Sequence, residues 1–416
     1  MAVYDRGGNL RTQRSLQDLF AAGLGDARYN TGDDPRNRIF DPHVVFDVGA
    51  GRFYIAAANR ADEILLASLT ADGRGMRLGR INTQPGADNS VDYPLLGSDG
   101  RFIYVTADVY GDDPDDAGPA ESPGFVDNRV IVVEKGAFNN GGNVVRRALF
   151  RGLQDANGPG APLAMSIVPA HDMQPGSHSD GMLVSAPSGG ADFLTLFRVD
   201  STGRTINGSR VSLGARFDPP STSPQPGTTT RLSALNGSRV INSMRNSSGV
   251  YLAHGSSCRR FPDRPTDVMT NCALWYRINP ATSRVVRSNR LAAAPPRNET
   301  DPTTDFIYPA VAASPTGRVL LTYAEVRRDR AATVFASGFD AAGASTGRRY
   351  SLVLVPTFTD RRPIQNEDPP VARFGDYAGL RPDPLDQERM FGTHQFFNRP
   401  DRWGTTIFGN LRPLGS

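Results

Sequence analysis

The sequence predicts an all-β protein, a six-bladed β-propeller with a seventh blade allowed, and three observations carry that prediction. A strand–turn–strand unit recurs along the chain. Gly 43 and Pro 32 among 416 residues favour many short strands joined by turns. No run of apolar residues is long enough to span a bilayer. Repetition over tens of residues points to a propeller or solenoid, and a closed β architecture can take up this whole length as one domain over residues 1–416.

The first segment, Ala2 to Asn9, reads as a strand running into a Gly-Gly turn, and it is expected to complete the last blade and close the ring. Ser15 then caps a short helix near residues 16–23, with Leu16, Leu19 and Phe20 on its apolar side. The repeated unit follows from Phe40 to Ala58, where two runs of β-branched, aromatic and small residues flank Gly49-Ala50-Gly51. It recurs from Val91 to Ala107, from Val168 to Ala186, from Leu232 to His254, from Ile307 to Tyr323 and from Phe374 to His394. The starts near residues 40, 91, 168, 232, 307 and 374 leave room for a four-stranded blade and its loops each time. Outer strands are expected at Ile64–Leu69, Arg129–Glu134, Phe193–Val199, Ala273–Ile278, Thr333–Phe339 and Thr405–Phe408.

Charge narrows the functional classes. The net charge is +3 and the basic residues are scattered arginines, with Lys135 the single lysine, so no basic stripe marks a nucleic-acid interface. Cys258 and Cys272 flank a short polar segment with no histidines to complete a zinc site, and are read as a disulfide. A disulfide implies an oxidising compartment, so the protein is expected to be secreted or at the cell surface, and monomeric.

In a propeller the innermost strand of each blade lines the axis, and the residue that opens it stands at one mouth of the channel. By this logic Asp41, Asp92, His171, Arg231, Tyr308 and Asp376 are expected to converge, with Tyr93, Arg373 and Tyr377 beside them as ligand-binding groups. His171 and His254 each border an inner strand. Paired with Tyr93, Tyr308 or Tyr377 and neutralised by Arg245 or Arg373, they form a constellation for β-elimination on a uronic acid, which needs a base, a cation over the enolate and an acid for the leaving oxygen. Asp41, Asp92 and Asp376 offer the alternative of a carboxylate pair for glycoside hydrolysis. The acidic loop carrying Asp108, Asp112 and Asp113 has oxygens suited to a structural calcium ion, the one cofactor considered.

The pattern Tyr4-Asp5 with Gly8-Asn9, Asp41-Pro42, Asp92-Tyr93-Pro94, Leu274-Trp275-Tyr276, Tyr308-Pro309-Ala310, Phe374-Gly375-Asp376-Tyr377-Ala378-Gly379 and Trp403-Gly404-Thr405 resembles that of secreted bacterial proteins with sialidase-like β-propellers. The resemblance runs from about Val3 to Phe408 and implies the propeller fold and an extracellular setting; most members have no assigned activity. The Ser-x-Asp-x-Gly-x-Thr-Trp boxes and the Arg-Ile-Pro segment of true sialidases are absent from this sequence. The functional expectation is therefore an extracellular propeller that binds a glycan at its axial mouth. The alternative is a carbohydrate-active enzyme, a polysaccharide lyase in preference to a glycoside hydrolase.

Overall fold

The computed structural model describes residues 2–5, 7–25, 38–59, 63–73, 75–86, 89–111, 124–155, 160–174, 176, 178–234, 238–259, 269–293, 303–353, 358–363 and 369–413. Six antiparallel sheets follow one another along the chain, and the fold is a six-bladed β-propeller. Contacts divide the chain into two compact units, one of Met1–Gln154, Leu163–Gly181 and Arg198–Asn207, the other of Asp155–Pro162, Met182–Phe197 and Gly208–Ser416.

In the first unit, Ile39–Asp47, Arg52–Asn59, Glu63–Thr70 and Met76–Asn82 form the first sheet in sequence order. Asn89–Ser98, Phe102–Gly111, Phe125–Glu134 and Arg146–Arg151 form the second. Their middle strands are buried on both faces, which explains the near-continuous apolar runs of Ile55–Ala58 and Val130–Val133. The helix Leu16–Leu24 starts where Ser15 Oγ accepts the Asp18 N–H at 2.9 Å, and ends at Gly25 in the left-handed region. The N-terminal strand corrects one expectation. Ala2–Tyr4 pairs with Leu10–Gln13 in a two-stranded hairpin and adds to no blade. The cause is local, since the Asp5 carboxylate accepts the N–H groups of Gly7 and Asn9, both at 2.9 Å, and turns the chain straight back.

The third sheet holds the strands Gly181–Ser185, Phe193–Val199 and Ile206–Ser212. In the second unit the fourth sheet is Ser243–Asn246, Gly249–Arg259, Met269–Asn279 and Arg284–Leu291. The fifth is Thr304–Ala313, Val319–Arg327, Arg330–Phe339 and Ser345–Ser351, and the sixth is Gly379–Pro382, Met390–Arg399 and Arg402–Leu411. Asn242 ties the inner strands of the last two sheets together, its amide donating to Val311 O at 3.1 Å and Leu380 O at 3.2 Å. Cys258 and Cys272 are disulfide-bonded between neighbouring strands, with Cα atoms 5.9 Å apart.

The repeated X-Pro pairs have a definite structural meaning. Asp41, Tyr93 and Tyr308 hold φ of 50°, 53° and 52°, each directly before a proline. At each the strand register slips, between Phe40 and His43, between Asp92 and Leu95, and between Ile307 and Ala310. Proline has no N–H for the ladder, so the inner strand bulges there and re-aims its side chains. Two later copies depart from the pattern. Arg231 and Asp376 do not open the inner strands of their blades, which lie at Ser243–Asn246 and Gly379–Pro382; Arg231–Leu232 pairs with Val371–Ala372 as a short parallel ladder and Asp376 lies outside any strand. No helix among the described residues is long and apolar enough to cross a membrane.

Candidate functional site

In the first unit, His171 sits within a buried polar network. The Ser98 N–H points at His171 Nδ1 at 3.2 Å, so Nδ1 accepts and Nε2 carries the proton that it donates to Phe46 O at 2.9 Å. The ring is fully enclosed and both nitrogens are engaged by backbone. Ser98 Oγ donates to Asp47 Oδ2 at 2.6 Å, and the Lys135 ammonium meets the same oxygen at 2.7 Å. Burial raises the Asp47 pKa, but the Lys135 charge and the hydrogen bonds from Lys135, Ser98 and the Ala50 N–H outweigh it and hold the carboxyl below its ordinary value.

The other described sequence-derived residues of this unit lie on the first two strands of its sheets. Asp92 Oδ1 accepts the Tyr93 N–H at 2.7 Å, and Tyr93 is 4% exposed, so this pair braces its own bulge. Asp41 stands partly buried at the equivalent bulge. Asp108 lies within its strand, where both carboxylate oxygens are taken by Ser166, one accepting its N–H and the other its hydroxyl, each at 2.8 Å. Asp112 and Asp113 lie outside the described residues. Among the described residues no group of three His, Cys, Asp or Glu side chains is placed to hold a metal ion.

In the second unit the bulge at Tyr308 gathers several of the named residues. The Tyr308 ring is 1% exposed; its hydroxyl reaches Ser233 O at 3.4 Å, and its carbonyl accepts from His394 Nε2 at 3.0 Å. Phe374, fully buried, packs between the rings of Tyr308 and Phe397, with centroids 5.9 and 5.3 Å away. Gly375 follows with φ 76°, so close to Tyr308 that a Cβ there would stand 2.7 Å from its ring. Only glycine fits both the space and the backbone angle. This anchoring holds up Arg373, Asp376 and Tyr377. The Arg373 guanidinium pairs with Asp376 Oδ2, its Nε at 3.0 Å, and the two side chains are 62% and 15% exposed. Arg231, two residues before Ser233, is held by Thr222, donating to its Oγ1 at 2.8 Å and its carbonyl at 2.6 Å.

His254 lies apart from this loop's anchoring residues. Its ring packs between Phe217, centroid 4.5 Å away, and Tyr276, stacked at 5.6 Å. Nδ1 donates to Gly255 O at 2.8 Å. Burial pushes the imidazole down to about 4, with only that hydrogen bond opposing it, so the ring is neutral at physiological pH. Arg245 is 6% exposed on the inner strand of the fourth sheet, opposite Val250.

Two further acids escaped the sequence reading. Asp155, 2% exposed, is pushed up to about 6 by burial, against hydrogen bonds from Ser185 at 2.7 Å and Thr195 at 3.5 Å. Asp305 is also raised by burial, although it accepts the Asn271 N–H at 2.8 Å and feels the Arg231 charge. Neither lies in a recognisable motif. Their environments come from residues distant in sequence.

No family model matches this chain, and no curated protein does. Among solved structures the chain is similar to a protein of unknown function from Dyadobacter fermentans, at 11% identity and TM-score 0.45 over 91% of this chain and 96% of that one. It is also similar to a GH93 α-L-arabinofuranosidase of Fusarium graminearum solved with arabinobiose, at 9% identity and TM-score 0.46, covering 90% and 93%. A sialidase of Trypanosoma rangeli solved with sialic acid gives 12% identity and TM-score 0.43 over 98% of this chain, which spans 56% of that protein's length.

Proposed function

We propose that the protein is a secreted or surface-exposed propeller that binds a glycan through the loop Arg373–Tyr377 anchored on Tyr308. The observation that carries this reading is the way Phe374 and Gly375 are locked while Arg373, Asp376 and Tyr377 stay at least partly exposed. The Arg373 guanidinium and the Asp376 carboxylate offer donors and acceptors for sugar hydroxyls, while the Tyr377 hydroxyl is turned inward, and a loop fixed before binding loses little entropy when it engages them. The disulfide is consistent with an oxidising location.

Binding is favoured over the lyase reading by the histidines. A base for β-elimination must reach a proton on the substrate, whereas His171 and His254 are both fully enclosed. The test is a glycan array probed with the purified protein, run beside an assay for unsaturated products on uronic-acid polysaccharides. Retention of a defined glycan without turnover is expected. Steady release of unsaturated product would replace the binding reading with the lyase, and an array without a bound glycan would remove both.

A further inference from the structure

The second unit also holds a cavity of about 640 Å³ that shares no residue with the Tyr308 loop. It lies beside the fourth sheet, under the segment Leu213–Asp218 that follows the strand Ile206–Ser212. The register builds its floor. Tyr276 is opposite Ser288, Leu274 is opposite Arg290, and His254 is opposite Leu274, so these side chains share one face of the sheet. Phe217 closes over His254 from the other side, which gives the cavity an aromatic wall of Phe217 and Tyr276 with a neutral imidazole behind it.

The charged part of the lining is mostly cationic, with Arg216, Arg259 and Arg290 against Asp218. Arg216 is paired with Asp218 at 3.0 Å, but Arg259 and Arg290, both exposed, have no acidic or hydrogen-bonding partner among the described residues. The Tyr276 hydroxyl likewise has no partner among them. Two uncommitted guanidinium groups over an aromatic wall suit a ring that carries an anion, since guanidinium binds carboxylate or sulfate in two-point fashion while the ring's apolar face lies on the aromatics.

We propose that this cavity is a binding site for an anionic saccharide, with Arg259 and Arg290 holding its carboxylate or sulfate and Tyr276 its ring. The site stands on its own residues, whether or not the Tyr308 loop binds a glycan. The experiment therefore uses the full chain carrying R373Q and D376N, so that the loop contributes nothing. Titration calorimetry with glucuronic acid, N-acetylglucosamine 6-sulfate and neutral N-acetylglucosamine compares that background with the same protein also carrying R259Q and R290Q. At least one anionic probe is expected to bind more tightly than the neutral sugar, with the better one identifying carboxylate or sulfate as the recognised group. The added pair of substitutions should weaken it by about tenfold or more, with an unchanged melting temperature because both arginines are exposed. Equal binding of the neutral sugar, no anionic binding at millimolar concentration, or an affinity that R259Q/R290Q leaves within about twofold would each overturn the proposal.

Discussion

Two buried titratable groups of the second unit pull stability in opposite directions as the pH falls. His254 is held at about 4 in the folded state and titrates near 6.5 when unfolded. Its stabilisation is complete above the unfolded value and is lost as the pH drops toward 4, because only the unfolded chain takes up the proton. Between pH 7 and pH 4.5 the loss is about 2 kcal/mol. Asp155 behaves in reverse. Its folded value is about 6 and its unfolded value about 3.9, so the folded state binds the extra proton and gains about 2 kcal/mol over the same interval. The two nearly cancel in the wild type. D155N should expose the histidine, making the loss on going from pH 7 to pH 4.5 about 2 kcal/mol larger than in the wild type. H254F keeps an aromatic ring between Phe217 and Tyr276 and should shift the same difference by about 2 kcal/mol in the opposite sense. Urea unfolding at the two pH values reads both, and groups common to all three proteins drop out of the comparison. A difference for either variant within about 0.5 kcal/mol of the wild type would refute the assigned burial.

Three further outcomes follow from named contacts. K135M strands the Asp47 carboxylate, 1% exposed, without its cation, and should cost about 3–5 kcal/mol, with D47N/K135M recovering part of it in thermal melts. G375A would drive a Cβ to 2.7 Å from the Tyr308 ring at φ 76°; a loss of about 2 kcal/mol or more is expected, together with weaker glycan retention, and a variant as stable as the wild type would contradict the packing. C258S/C272S opens a link between residues 14 apart and should lower stability by about 3 kcal/mol relative to the oxidised wild type, with the reduced wild type matching the variant.

The blades were legible because their physics is local. An X-Pro pair ahead of a β-branched run marks the bulged inner strand, as at Asp41, Tyr93 and Tyr308, and the outer strands predicted from alternation fall within observed strands, from Glu63–Thr70 to Arg402–Leu411. The Ser15 cap and the cysteine pair were equally visible. What failed was the choice of partner. Arg231–Leu232 looks like the start of a blade strand in sequence, but two residues make too short a run to fix their neighbour, and they pair with Val371–Ala372 instead. The N-terminal strand turns back on itself instead of joining a blade because the Asp5 carboxylate closes the turn through the Gly7 and Asn9 N–H groups, a side-chain effect that strand patterning does not carry. Of the site, the Phe-Gly-Asp-Tyr run was visible but its anchor on Tyr308 was not. The network of Lys135, Asp47, Ser98 and His171 was hidden because its members come from three separate strands and the first residue of the helix Lys135–Gly141.

In the proposed function, glycan recognition belongs to the loop held up by Tyr308. Once an array has supplied a ligand, calorimetry of the wild type against R373Q/D376N tests this directly. Both partners of the exposed pair are removed together, so no charge is left stranded. An affinity reduced by about tenfold or more at an unchanged melting temperature is predicted; the same affinity in both proteins would contradict the account.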